Sequence, residues 1–163
     1  MSLPENISLN NITDLLKEIA QKHNMLKGFE IGEEASEGYS DKERKELEYP
    51  YLWVDYAGSS LVVNNGRISE KVYNLRLFVA DKHYNNIKSA DEIMSDTEAI
   101  LSDVIQWVLT NPELKGILIP VGAISINPAK EDTKDDVFGW FGSIPFRIPY
   151  KYCYNNLPID KDC

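Results

Sequence analysis

The chain has little with which to cross-link itself, hold a soft metal or attract a polyanion. Two cysteines occur in 163 residues, Cys153 and Cys163, too few for a disulfide framework. Cys153 falls in an alternating strand pattern and Cys163 comes last, so both are expected as free thiols in a reducing compartment. Histidine is equally scarce. His23 and His83 lie far apart with no Cys-x-x-Cys beside them, which argues against a zinc-type cluster. Basic residues are in deficit, 17 Lys+Arg against 26 Asp+Glu, for a formal net charge of −9. An acidic surface repels phosphate backbones, so no nucleic-acid partner is expected. No apolar run approaches the ~18–20 residues of a spanning helix. The opening Met1-Ser2-Leu3-Pro4-Glu5-Asn6 is not a basic segment leading into an apolar one. Neither a membrane span nor a secretory signal is therefore expected.

What the chain does have is apolar patterning, with 43% hydrophobic residues, enough for one domain with a substantial core. Ile12, Leu15, Leu16 and Ile19 follow helical spacing. Ser8, Asn10 or Asn11 suits the start of that helix, and Gly28 its end. Phe29 and Ile31 alternate with Glu30 as a short strand. Residues 32–48 carry seven acidic and three basic residues, with only Ala35, Tyr39 and Leu47 apolar. Such a segment buries too little to offset its ordering entropy and reads as a mobile acidic loop. In the next strand Leu52, Val54 and Tyr56 point one way, and Tyr51, Trp53 and Asp55 the other. Leu61-Val62-Val63 then meets Asn64-Asn65-Gly66-Arg67, a strong hairpin signal. Tyr73, Leu75, Leu77 and Val79 share one face of the returning strand, which stops at Asp81.

One long helix follows, Ala90–Leu109, opened by the capping box Ser89-Ala90-Asp91-Glu92. Its stripe is Ile93, Thr97, Ile100, Leu101, Val104, Ile105, Val108 and Leu109. Asn111-Pro112 ends it. Ile117–Val121 and Ala123–Ile126 read as strand, 130–136 as a charged hairpin tip and Val137 onward as the final strand. There Ile144, Phe146, Ile148, Tyr150 and Tyr152 alternate with Pro145, Arg147, Pro149, Lys151 and Cys153. The two prolines require a sheet edge or a bulge over part of that strand. Residues 155–163 are expected as a flexible tail. The order α-β-β-β-α-β-β predicts a single α+β domain. Its mainly antiparallel sheet of four to six strands would carry one short and one long helix on one face.

Chemical signatures are absent: no phosphate-cradling glycine loop, no His-Glu-x-x-His, no nucleophile elbow. Asp55 and Asp81 both end strand patterns, where paired carboxylates can hold Mg²⁺. The simpler reading is two strand-end residues. Asp132, Asp135 and Asp136 miss the spacing of a calcium loop and read as a solvated hairpin tip. His23 and His83 have no serine or cysteine in a recognised pattern beside them. Most of the aromatics are expected in the core, whereas Trp107 falls off its helix's stripe, as a second packing contact or an interface residue. No catalytic residue, cofactor or metal is expected.

Three features together resemble one group: the strand Tyr73–Asp81, the single long helix Ala90–Leu109, and the return hairpin whose second strand runs from Asp136 to Tyr150. They resemble the tail terminator (tail completion) proteins of tailed phages and prophages over roughly residues 8–155. That resemblance implies a small α+β structural protein that assembles with copies of itself as a ring, typically hexameric. Such a ring caps the tail tube and joins it to the head-side connector, at the virion neck, after assembly in the host cytoplasm. Ring contacts are heterologous, one patch meeting a different patch on the next subunit. The candidate interface residues are Ser143, Pro145, Arg147 and Pro149 on the proline-bearing strand, Glu37, Tyr39 and Glu43 in the acidic loop, and Trp107. A small acidic adaptor or inhibitor domain that meets a basic protein partner is the alternative. A metal-dependent nuclease or hydrolase using Asp55 and Asp81 is a more distant one.

Overall fold

The first helix begins where Ser8 and Asn11 satisfy each other's free backbone groups. Ser8 Oγ accepts from the Asn11 N–H, and Asn11 Oδ1 accepts from the Ser8 N–H at 2.8 Å. This helix, α1, runs Leu9–Lys22 and buries Ile12, Leu15, Leu16, Ile19 and Ala20 along one face. It ends at Lys22, ahead of Gly28, which instead opens strand β1 (Gly28–Ile31). In the computed structural model, residues 8–32, 48–83, 87–117, 122–131 and 137–150 are described. The remaining described elements are β2 (Tyr51–Asn64), β3 (Arg67–Lys82), α2 (Ala90–Thr110), a 3₁₀ turn (Pro112–Leu114), β4 (Ile126–Glu131) and β5 (Val137–Pro149).

The strands form a five-stranded mixed sheet in the order β1-β2-β3-β5-β4. All described pairs are antiparallel except β1–β2, which is parallel. Period-two alternation decides the faces. Leu52, Val54, Leu75, Leu77, Val79, Ile144 and Phe146 point to one side and are fully buried there. Both helices cover that side, Ile12, Leu15 and Leu16 from α1 and Ile100, Leu101, Val104 and Val108 from α2. Two tryptophans fix neighbouring segments by their ring N–H, one between sheet and helix and one at the end of β1. Trp140 donates to the Met94 carbonyl of α2 at 2.9 Å, and Trp53 to the Gly32 carbonyl at 2.9 Å. Gly139 sits where the β3 backbone leaves no room for a side chain on β5. A Cβ there would collide with the Val79 carbonyl oxygen and come 2.9 Å from the Ala80 Cα.

The long helix starts at its capping box, with Ser89 Oγ accepting from Glu92 N–H and Glu92 Oε2 from Ser89 N–H at 2.8 Å. The α+β class and the element order stand as read from the sequence. Three local expectations need correction. Leu109 belongs to the α2 stripe by spacing yet is 46% exposed at the stripe's margin, while its neighbour Val108 is fully buried in the core. Ala123–Ser125 precede strand β4, which begins at Ile126 and runs through the polar Asn127-Pro128-Ala129-Lys130-Glu131. Polar residues and a proline suit this strand because it is an edge, with solvent on one side. Residues 57–60, between the two expected strand segments and assigned to neither, continue β2. One extra residue there, with Gly58 at φ 120°, forms a bulge between the Tyr56 and Ser59 pairs. Among the described residues no helix is long and apolar enough to cross a membrane.

Candidate interaction surface

The helix-free side of the sheet gathers four of the residues singled out on the proline-bearing strand. Ser143, Arg147 and Pro149 are exposed and Pro145 half-buried, all on the face opposite Ile144, Phe146 and Ile148. Arg147 is engaged at this face, its Nε 3.2 Å from Glu70 Oε2 on β3. Further along lie Phe141, with the Arg76 guanidinium 5.6 Å from its ring centre, and an aromatic cluster of Tyr49, Tyr51, Trp53 and Phe78. Tyr51 anchors that cluster, edge-on to Tyr49 at 5.1 Å and to Phe78 at 6.3 Å.

Backbone direction explains the prolines. Arg147 N–H donates to the Ile117 carbonyl, away from β3, whereas Tyr150 N–H donates to Ser69 on β3. Alternation then turns Pro145 and Pro149 outward as well, where a missing N–H costs the ladder nothing. Strand β4 pairs with β5 only from Val137 to Gly142, so among the described strands none flanks Ser143–Pro149 on that side. The same alternation turns Pro128 outward on β4, since its partner Trp140 is directed to β3. This margin of the sheet is thus proline-guarded against further strand pairing.

Trp107 is half-buried and packs against the main core, a packing position on α2. Glu37, Tyr39 and Glu43 lie outside the described residues, as do the rest of 33–47, the hairpin tip 132–136 and the tail 155–163. Both cysteines and most of the expected strand 117–121 fall there too.

The paired-carboxylate arrangement is not brought together. Asp55 is on the helix-free face, 3.7 Å from Arg76. Asp81 lies on the helix-covered face of β3, near ~17 Å further along the strand at ~3.4 Å per residue. Its Oδ2 is 3.8 Å from Lys88 Nζ, which also holds Asp96 at 2.8 Å. The Asp96 hydrogen bond, more than the charge of Asp81, holds the Lys88 ammonium above its ordinary range. Each carboxylate is thus matched to a cation of the chain. His23 Nε2 is 3.5 Å from Asp103 on α2, and His83 is edge-on to Phe138.

One surface was not foreseen. Strand β1 pairs with β2 only over Tyr51–Val54, and β5 leaves β3 after the Glu70–Pro149 pair. The far half of the β2–β3 hairpin, the β2 arm, is therefore bare along the outer edge of β2 among the described residues. Its β3 strand is flanked by β5 as far as Glu70, and Asn65 and Gly66 close it at φ 51° and 75°. Leu61 and Val63 on it are 53% and 59% exposed. Its sequence signal was the unbroken Leu61-Val62-Val63 inside residues 56–66, which hold no charged residue. Among the described residues no helix or strand covers this apolar run beside the turn.

No family model matches this chain, and no curated protein matches its sequence.

Proposed function

We propose that this chain is a non-enzymatic virion assembly protein, a tail-terminator-like ring component that caps a phage or prophage tail tube and joins it to the head. In this role its partners are copies of itself, the tube protein and a head–tail connector, and its place is the virion neck. The observation that carries the reading is the order α-β-β-β-α-β-β with both helices on one side of the sheet, the arrangement that the family resemblance implies. The helix-free face supports it further. It offers Ser143, Arg147 and Pro149 beside half-buried aromatics, a mixed polar and aromatic surface of the kind found at protein contacts. Because the proline-guarded margin lacks outward donors at positions 128, 145 and 149, neighbours meet it through side chains rather than by extending the sheet.

Electron microscopy and native mass spectrometry of the purified chain, alone and with a tail-tube protein, test this reading. Closed rings, or a ring formed on the tube end, are expected. A monomer under all conditions, tube present, would refute it.

A further inference from the structure

We infer that the outer edge of the β2 arm pairs antiparallel with the same edge of a second copy, about a two-fold axis passing close to Leu61. The inference does not rest on the tail-terminator reading. It begins with the two margins of the sheet. On the β4 and β5 side, the outward N–H groups are interrupted by Pro128, Pro145 and Pro149. On the β2 side past Val54, no described strand is paired, and no proline or charged residue occurs from Tyr56 to Gly66. Soluble proteins normally blunt a bare edge with lysine, proline or a cover. Here one margin is blunted three times and the other carries only the Gly58 bulge.

The pairing register specifies what this edge offers. Val54 accepts from Gly32 N–H on the open side of β2, and the extra residue at the bulge shifts the alternation by one. Ser60 and Val62 then face their β3 partners Val72 and Glu70, which leaves the backbone groups of Ser59, Leu61 and Val63 directed outward. Strand addition needs a second unguarded edge. Among the described residues the β2 arm supplies the longest one, since the other bare edge, β1, is four residues long, so a second copy meets it arm to arm. Centred on Leu61, that register sets Leu61 against its equivalent and Ser59 against Val63. It makes about six backbone hydrogen bonds, two per directly bonded pair. Leu61 and Val63 share one side of the arm, so the exposed apolar side chains of both copies meet across the axis.

Charge favours the same place. Two copies with net charge −9 each repel, and least where neither presents an ionised group. The β2 strand of the arm carries no charge from Tyr56 to Gly66, and its β3 partner strand carries Arg67 and Lys71 against Glu70, so this edge is where two acidic copies approach at a small electrostatic cost.

Sedimentation velocity over a wide concentration range tests the pairing, with charge-swapped variants at the axis. The wild-type chain is expected to show a concentration-dependent dimer. Leu61→Lys or Leu61→Glu alone sets like charges opposite each other and should raise the dimer dissociation constant at least about tenfold. A one-to-one mixture of the two should restore pairing as a heterodimer. Leu61 is more than half exposed, so both variants are expected to fold, as circular dichroism will check. Leu61→Pro, which removes an outward N–H without touching the β3 ladder, should also abolish the dimer. A folded wild-type monomer at every concentration overturns the inference. So does a dimer that Leu61→Lys and Leu61→Pro leave intact, or a mixture that fails to pair. A two-fold pair closes on two subunits, so rings that persist in Leu61→Lys leave the terminator reading standing while this contact fails or holds by itself.

Discussion

Leu77 and Leu61 occupy the same β2–β3 hairpin and the same side of the sheet, yet truncating them should have very different consequences. Leu77 is 0% exposed beneath the helices, and Leu61 is 53% exposed on the arm. Leucine to alanine removes three carbons, worth about 2.4 kcal/mol at about 0.8 kcal/mol per buried methylene. At Leu77 the whole of that is lost. The cavity left between β3 and the helices adds to it, for a total of about 3–4 kcal/mol within the range measured for buried leucines. At Leu61 about half the transfer contribution applies and no cavity is left, so the loss is at most about 1 kcal/mol. For a domain of this size each kcal/mol moves the thermal midpoint by about 2–4 °C. Leu77→Ala should therefore lower it by about 6–16 °C and Leu61→Ala by less than about 4 °C. Urea and thermal unfolding followed by circular dichroism, at protein concentrations low enough to keep the chain monomeric, make the measurement. A Leu61→Ala loss equal to that of Leu77→Ala would refute the reasoning, because the arm would then be packed within the monomer.

Two further substitutions probe the frame. Gly139→Ala drives a methyl into the Val79 carbonyl and the Ala80 Cα. It should cost about 1–3 kcal/mol, as overpacking does, and a denaturation midpoint equal to wild type would show that β3 and β5 can part there at no cost. Ser89→Ala removes the α2 cap and should cost about 0.5–2 kcal/mol at neutral pH. Its partner Glu92 adds a pH signature. The hydrogen bond from the Ser89 N–H holds the Glu92 carboxyl below its ordinary range, so folding favours the ionised form. That contribution is present above the ordinary carboxylate range and is lost as pH falls through the lower folded value. The midpoint difference between wild type and Glu92→Gln should thus be positive at neutral pH and close once the carboxyl is protonated in both states. A difference that grows on acidification would contradict the reciprocal cap.

Much of this fold is written in local pattern. Ile12, Leu15, Leu16 and Ile19 make a helix face by spacing alone, and Ser89 with Glu92 marks the start of α2 to the residue. Asn65-Gly66 closes a two-residue hairpin because both tolerate positive φ. The same regularity assigned Leu52 and Val54 to one face and Tyr51 and Trp53 to the other. The strand 126–131 was less legible, since Asn127-Pro128-Ala129-Lys130-Glu131 has no alternation. Its place at an edge removes the need for one. Residues 57–60 were illegible for another reason, that a bulge breaks the period on which the reading depends.

For interaction surfaces the division is sharper. The chain alone determined that Pro145 and Pro149 need an edge, because proline lacks a donor wherever it sits. Which side they face, and that Pro128 guards the same margin, follows only from the register of β4, β5 and β3. Likewise, Leu61-Val62-Val63 is ordinary core material in one dimension. Its exposure was decided by the stop of β1 at Val54 and by its place outside the core that the helices cover, and burial depends on neighbours that no local pattern specifies. Composition determined the acidic balance and the dearth of metal-binding residues. Tertiary structure decided that Asp55 and Asp81 stand on opposite faces, each beside its own cation, because strand parity separates residues that the linear chain only sets apart.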